Sequence, residues 1–171
     1  MPAFSTAETA IEPNMERIVD EYATALLRVA FLYLKDTQLA EDAVQDTFLK
    51  VYRNYDQFQK GSNERTWITR ICINVCKDYL RCAWKRHVIT LDTLPETPDE
   101  GCTIPAEDKL LVKEVMKLKP CYKEVLLLYY YQDFKINEIA QILQIPQSTV
   151  SVRLKRAREQ LKKRIEGWDF D

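Results

Sequence analysis

Residues 134–164 constrain the fold of this chain more than any other segment. The first part places Ile136, Ile139 and Leu143 on one side of a helix, and a small alanine between them allows a second helix to approach closely. Pro146 then disfavours helical geometry at the residue before it, and a second apolar stripe follows. The segment therefore predicts two helices that meet at a tight turn.

The second of these predicted helices has a buried stripe and a basic face opposite to it. The stripe consists of Val150, Leu154, Ala157 and Leu161. Residues 151–164 contain seven Lys or Arg and one Glu, in a chain whose formal net charge is −1. This concentrated positive charge suits a polyanion, so the segment indicates a helix-turn-helix that binds DNA. The alternative is a solvated amphipathic helix with ordinary surface charges.

The remaining sequence also favours helices. Of 171 residues, 46% are hydrophobic, which is enough apolar material for folded cores, and only three are Gly. Over long windows the apolar residues recur with a period of 3.6 residues, and apolar and polar residues do not alternate regularly. An all-α fold is therefore expected. The longest apolar run, 125–131, is far too short to span a bilayer, and no signal peptide is visible. A cytoplasmic protein without direct membrane insertion is expected.

Charge and proline content divide the chain. Residues 91–108 carry six acidic and no basic side chains, contain three Pro and show no helical stripe. This composition predicts a flexible acidic linker. The sequence therefore predicts two small helical domains, residues 14–88 and 107–167, joined by a linker at 89–106. The second domain contains the helix-turn-helix.

Three helices are expected in the first domain. The second of them has an apolar stripe that includes Phe48 and Tyr52 and is predicted to be buried. Asn63 can cap the third helix. Trp67 lies on the apolar stripe of that helix, which favours a core role over a platform on which a base stacks.

Three segments, in this order and spacing, resemble the extracytoplasmic-function group of bacterial sigma factors. These are small members of the sigma-70 family that carry only the second and fourth conserved regions. The segments read AEDAVQDTFLKVYRNYDQF, ERTWITRICINVCKDYLR and LKPCYKEVLLLYYYQDFKINEIAQILQIPQSTVSVRLKRAREQL. The resemblance implies an alternative sigma factor that binds core RNA polymerase and directs promoter-specific transcription initiation.

The resemblance also implies a role for each segment. The first is similar to the helix that binds core RNA polymerase, with contacts at Glu41, Asp42, Gln45, Asp46, Phe48 and Leu49. The second is similar to the element that opens and reads minus-ten promoter DNA, with contacts at Asn63, Arg65, Asn74, Lys77, Arg81, Lys85 and Arg86. The third is similar to the domain that reads the minus-35 element, with contacts at Ser148, Ser151, Val152, Arg153, Lys155, Arg156 and Arg158.

The residue types agree with these roles. Leu49 among carboxylates suggests a protein partner with a basic groove, although a solvated face with a single Leu is also common. Phe48 lies on the buried stripe, which favours a core role. In the second segment, the cations suit the backbone of an unpaired DNA strand. The aromatic side chains and Asn74 suit its unpaired bases. Val152 can contact a thymine methyl group but cannot donate a hydrogen bond to a base.

No cofactor, metal or catalytic residue is expected. Five cysteines without framework spacing indicate reduced thiols. Cys72 and Cys76 are spaced for one helix face, but a metal site would also need Cys82 or His87, which lie on other faces or beyond the helix end. Phosphodiester chemistry would belong to the polymerase, so the chain is expected not to be an enzyme and to have no small-molecule substrate.

Two other classes of protein stay open. One is a polymerase-independent transcription factor that uses the same helix-turn-helix, usually as a dimer with a sensing domain. The other is an enzyme with a DNA-targeting tail. The resemblance additionally implies an anti-sigma factor that occludes both domains and could hold the protein near the membrane; the linker would permit that rearrangement.

Overall fold

A computed structural model describes residues 13–58, 63–85 and 113–165 of the chain. Within these ranges the regular structure is helical, with no strand. The chain divides into two compact units, Met1–Val88 and Ile89–Asp171. The predicted all-α fold with two helical domains is therefore confirmed, whereas the predicted linker at 89–106 lies outside the described residues.

The described part of the first domain contains three α-helices: α1 (Met15–Leu34), α2 (Thr37–Asn54) and α3 (Glu64–Lys85). A short 3-10 turn, Tyr55–Gln57, follows α2. Lys35 ends α1 in the left-handed conformation, with φ of 54°, and Asp36 then caps α2 by accepting the Leu39 N–H at 2.8 Å. This two-residue connection makes α1 and α2 adjacent, and both pack on α3.

The core of the first domain lies between the three helices. Its fully buried side chains include Ile18 of α1, Val51 of α2 and Ile68 of α3. Trp67 is half-buried and packs against this core, in agreement with the predicted core role. The burial predicted for Tyr52 is wrong: its side chain is 57% exposed, because α1 and α3 cover the side of α2 formed by Ala40, Ala43, Val44, Thr47 and Val51.

The second domain contains a helical turn at 113–116 and three further helices. These are α4 (Pro120–Leu126), α5 (Ile136–Leu143) and α6 (Gln147–Ile165). Pro120 occupies the first position of α4, where its missing N–H costs nothing. A π-helical turn, Leu127–Tyr131, continues α4, and the Gln132 N–H donates to the Leu127 carbonyl at 3.2 Å.

The predicted helix-turn-helix is formed by α5 and α6. Gln144 ends α5 in the left-handed conformation, with φ of 56°, and α6 starts three residues later. The Ile145 N–H donates to the Ala140 carbonyl at 3.1 Å, which closes the turn. Val150 and Leu154 of α6 are buried against α5 and α4, so the opposite side of α6 is left to solvent. None of the helices described is long and apolar enough to cross a membrane.

Candidate functional site

The solvent side of α6 carries most of the predicted minus-35 contacts. We call this surface the α6 face; its exposed members are Ser148, Ser151, Val152, Lys155 and Arg156. Val152 is 47% exposed and places an apolar group among the cations of this helix. The Ser151 hydroxyl donates to the Gln147 carbonyl at 3.1 Å. The α6 face therefore combines two cations, two hydroxyls and one apolar group.

The two other predicted minus-35 residues lie at the borders of the α6 face. Arg153 is half-buried. Arg158 is exposed and turned towards the π-helical turn, where its Nε donates to the Tyr130 hydroxyl at 2.7 Å. Its guanidinium also lies 5.5 Å from the centres of the Tyr129 and Tyr130 rings. Arg158 thus links α6 to the end of α4.

One face of α3 brings together several of the predicted minus-ten contacts. At 100° per residue, Asn74, Lys77 and Arg81 fall within about 60° of one another, together with Arg70. We call this surface the α3 face. Asn74 and Arg81 are exposed, whereas Lys77 and Arg70 are half-buried. Arg81 forms an ion pair with Asp78 of the same helix. The backbone of Lys85 is at the end of α3, while Arg86 lies outside the described residues.

The start of α3 holds the two other predicted minus-ten residues. Asn63 caps the helix, its side-chain oxygen lying 3.4 Å from the Thr66 N–H. Arg65 is half-buried and lies on the side of α3 opposite to Asn74, about 180° around the helix axis, so the structure does not bring it onto the α3 face. Asn63 and Arg65 instead stand on either side of Glu64.

Glu64 is the centre of a polar cluster that joins three elements. Arg17 of α1 donates from Nη2 to both carboxylate oxygens of Glu64, at 2.9 and 3.0 Å. The Tyr22 hydroxyl, also from α1, donates at 3.1 Å, and the Tyr55 hydroxyl in the 3-10 turn donates at 2.6 Å. We call these four residues the Glu64 cluster. The side chain of Glu64 is only 17% exposed, so its charge is largely screened from solvent by its partners.

The pKa values of the cluster reflect this geometry. Burial acts to raise the pKa of Glu64, but the hydrogen bonds from Tyr55, Arg17 and Tyr22 together outweigh it, and the pKa lies below its ordinary value. The hydrogen bond to the Glu64 carboxylate raises the pKa of Tyr55. Glu64 is therefore ionised and Tyr55 neutral at neutral pH, as a donor–acceptor pair requires.

The exposed side of α2 carries three of the predicted polymerase contacts and one residue that the sequence analysis assigned to the core. Glu41, Gln45, Leu49 and Tyr52 are exposed and fall within about 80° of one another around the helix. We call this surface the α2 face. Leu49 is 53% exposed beside Tyr52. The α2 face thus has an apolar end and a polar, acidic end, which is typical of a protein-binding surface.

The three other predicted polymerase contacts lie to the sides of the α2 face. Asp42 and Asp46 are half-buried, and Phe48 is half-buried and packed against the core. Asp46 accepts a hydrogen bond at 2.7 Å from the hydroxyl of Tyr79 on α3. Burial and this hydrogen bond raise the pKa of Tyr79 to about 12. Asp46 therefore connects α2 to α3.

The cysteines do not form a metal site within the described residues. Cys72 and Cys76 are both buried in the first domain, and the Cys72 thiol donates to the Leu26 carbonyl at 3.9 Å. The hydrogen bond with Cys72 and burial raise the pKa of Cys76, so its thiol is neutral at neutral pH. No group of three or more His, Cys, Asp or Glu that could hold a metal occurs in the parts of the chain that the structure describes.

Sequence reasoning missed several residues of these sites, among them Tyr52, Glu64 and Tyr130. Tyr52 was counted with the apolar stripe because an aromatic side chain at the edge of such a stripe can be either buried or exposed. Glu64 was missed because its partner Arg17 lies 47 residues away in the chain. Tyr130 was missed because a run of tyrosines carries no signal for a π-helical turn. For Glu64 the one available signal was an acidic residue in the first turn of a helix, directly after a capping Asn.

Comparison with known families matches two models along the chain. The model described as "Sigma-70 region 2" matches residues 18–86, and the model described as "Sigma-70, region 4" matches residues 109–161. The first match contains the α2 face, the α3 face and the Glu64 cluster apart from Arg17. The second contains the helix-turn-helix up to residue 161.

Curated relatives agree with these matches. "ECF RNA polymerase sigma factor SigW" of Bacillus subtilis (strain 168) is 27% identical over 165 residues, covering 86% of this chain and 87% of the relative. "ECF RNA polymerase sigma factor SigM" of the same organism is 28% identical over 154 residues, covering 87% of this chain and 93% of the relative.

Solved structures share the fold. One is the sigma factor RpoE in complex with the anti-sigma factor NepR from Bartonella quintana, with a TM-score of 0.76, 22% identity, and coverage of 91% of this chain and 99% of that chain. Another is CnrH in complex with the cytosolic domain of CnrY, with a TM-score of 0.65, 21% identity, and coverage of 91% and 89%.

Proposed function

The chain belongs to the extracytoplasmic-function group of the sigma-70 family, and from this premise we propose how its surfaces divide the work of promoter recognition. It is an alternative sigma factor that directs promoter-specific transcription initiation with core RNA polymerase. The observation that supports the residue-level proposal is that predicted polymerase, minus-ten and minus-35 contacts lie on three separate faces, on α2, α3 and α6.

The α6 face is the proposed contact with the minus-35 element. An α-helix fits the major groove, and Lys155 and Arg156 can contact phosphates or guanine there. Val152 can pack against a thymine methyl group. Arg153 and Arg158 border this face and are proposed as contacts with the DNA backbone. Ser148 and Ser151 supply short hydroxyls that allow close approach of the helix to the DNA.

The α3 face is the proposed contact with minus-ten DNA. The cations Lys77 and Arg81, with Lys85 and Arg86 beyond them in sequence, can follow the backbone of an unpaired strand. Exposed Asn74 offers both a donor and an acceptor to the edge of an unpaired base. Asn63 and Arg65 are proposed as contacts at the start of α3.

The α2 face is the proposed contact with core RNA polymerase. An exposed Leu49 beside an exposed Tyr52 gives an apolar anchor, and the neighbouring carboxylate favours a basic partner surface. Asp42, Asp46 and Phe48 flank this face. Tyr52 is added to the proposed contacts because it is the most exposed large hydrophobic side chain among the described residues.

Further parts of the proposal concern chemistry, partners and location. The factor is proposed not to be an enzyme and to need no cofactor or small-molecule substrate, because bond formation belongs to the polymerase. An anti-sigma factor is a proposed partner. Two fold neighbours support this: one structure contains the anti-sigma factor NepR, and the other contains the cytosolic domain of CnrY. The proposed location is the cytoplasm, because the factor must meet core polymerase. An anti-sigma factor anchored in the membrane would retain the protein near it.

Run-off transcription tests the proposal. Purified bacterial core polymerase is supplied with a genomic fragment library, with and without this protein, and the RNA 5′ ends are sequenced. We expect discrete starts that share elements near minus 35 and minus ten. Stable DNA binding without association with core polymerase, and without new starts, would instead identify a polymerase-independent regulator.

Variants on α2 test the polymerase contact directly. Leu49→Ala is expected to weaken binding to core polymerase by about tenfold, because apolar anchors at an interface contribute about 1–2 kcal/mol or more each. Thermal stability should stay unchanged, since the side chain is 53% exposed. The matched control is Val19→Ala, which removes an apolar side chain that is 37% exposed on α1. Equal polymerase affinity of the two variants would exclude the α2 face as the contact.

A further inference from the structure

The Glu64 cluster has a geometry that its contribution to stability alone does not explain. The Arg17–Glu64 ion pair is by itself a weak way to join helices, because the Arg17 side chain is 45% exposed and solvent screens its attraction to the carboxylate. What directed hydrogen bonds supply is a defined orientation. Here four hydrogen bonds, between 2.6 and 3.1 Å, converge on one carboxylate from two other elements.

The orientation that they define is that of the first turn of α3. Arg17 and Tyr22 attach this turn to α1, and Tyr55 attaches it to the 3-10 turn after α2. A second set of contacts holds the same corner: the ring of Trp67 lies 6.1 Å from Tyr55 and 5.2 Å from Phe58, centre to centre. The first turn of α3 is thus held from both sides.

Asn63 and Arg65, the residues next to Glu64, are proposed minus-ten contacts. Their backbone positions follow from that of Glu64, whereas Asn74 lies nearly three turns further along α3. The negative charge of Glu64 is also held against Arg17 and away from solvent, so that it does not repel a DNA strand approaching its neighbours.

We propose that Glu64 is a positioning residue for promoter reading: through Arg17, Tyr22 and Tyr55 it sets where Asn63 and Arg65 stand when they meet an unpaired minus-ten strand. This role rests on the proposed function of the first domain. It concerns the reading of minus-ten bases and leaves polymerase binding and minus-35 reading unaffected.

Tyr55→Phe and Glu64→Gln test the proposal in the reconstituted holoenzyme. The template is the strongest promoter that the genomic library yields with the wild-type protein, together with a set carrying single substitutions in its minus-ten or minus-35 element. The readout is the ratio of initiation on the parent template to initiation on each substituted template. We expect the minus-ten ratios to fall about fivefold for Tyr55→Phe and further for Glu64→Gln, since one lost hydrogen bond corresponds to about 1 kcal/mol. The minus-35 ratios should not change.

A matched control separates positioning from loss of stability. Val29→Ala removes buried volume from the same domain, about 18 Å along α1 from Arg17. It should lower initiation on every template equally and leave the ratios unchanged. Minus-ten ratios that stay at the wild-type value in Tyr55→Phe would overturn the positioning role, even if Glu64→Gln fails to fold. Absence of discrete starts with the wild-type protein would instead overturn the proposed function itself.

Discussion

Glu64 makes the stability of the first domain depend on pH in the acid range. Its folded-state pKa lies below the ordinary value of 4.5, because the hydrogen bonds from its partners outweigh the effect of burial. The unfolded chain therefore takes up this proton first as the pH falls, so the stabilisation is present above about pH 5 and is lost as the pH falls through the folded-state pKa. Glu64→Gln lacks this stabilisation at every pH and should show a smaller loss of stability on acidification.

Urea unfolding at several pH values between about 7 and 3 measures this difference. The chain has three tryptophans, so Trp84→Phe and Trp168→Phe leave Trp67, which contacts Tyr55, as the fluorescent reporter. Glu16→Gln, which removes an exposed carboxylate from the first turn of α1, is the matched control. If the free energy of unfolding of Glu64→Gln declines with pH as steeply as that of Glu16→Gln, the expected role of Glu64 is wrong.

At the scale of elements, a contact outside the helix-turn-helix also links α6 to the end of α4. Arg158 binds the Tyr130 hydroxyl and lies against two tyrosine rings of the π-helical turn. A double-mutant cycle with Tyr130→Phe and Arg158→Met is expected to give a coupling free energy of about 0.5–1 kcal/mol, because both side chains are largely exposed. Hydrogen exchange of the α6 amides measures it.

The same contact limits what Arg158 can give to DNA. Arg156 on the α6 face is the matched comparison, since it is exposed and forms no hydrogen bond or ion pair with any residue that the structure describes. Arg156→Met is expected to reduce the slope of log affinity against log salt by about 0.9, the value for one phosphate contact. Arg158→Met should reduce it less. A full reduction with Arg158→Met would show that the guanidinium leaves the tyrosines on DNA.

Elements with strong local signals could be predicted, and contacts between distant elements could not. The helix-turn-helix was predicted because Pro146 and the 3.6-residue period act locally, and the structure adds only the left-handed Gln144. The exposure of Tyr52 depends on how α1 and α3 cover α2, which a single helix does not encode. The Glu64 cluster likewise needs α1 and α3 to be packed before Arg17 can meet its partner. The α2 and α6 faces followed from helical periodicity and the α3 contacts from the family resemblance, but the borders of each face were set by packing.

At the scale of the whole molecule, the chain combines a basic recognition helix with a formal net charge of −1. The acidic side chains of residues 91–108 contribute six of the negative charges. A nearly neutral total weakens the long-range attraction of the isolated protein to DNA, although the α6 face is positive. We therefore expect specific promoter binding to depend on core polymerase. On this argument the isolated factor should bind random DNA only weakly.

Neutralising four of these acidic residues tests this role of net charge. Replacing Asp92, Glu96, Asp99 and Glu100 by Asn or Gln changes the formal net charge from −1 to +3. The affinity of the isolated protein for a random-sequence duplex, measured by fluorescence anisotropy, should rise by several-fold at about 50 mM salt. The difference should shrink at about 200 mM, because the screening length falls below 10 Å. Tight binding of the wild-type protein to random duplex at moderate salt would contradict the argument, since net charge would then impose no barrier for the substitutions to remove.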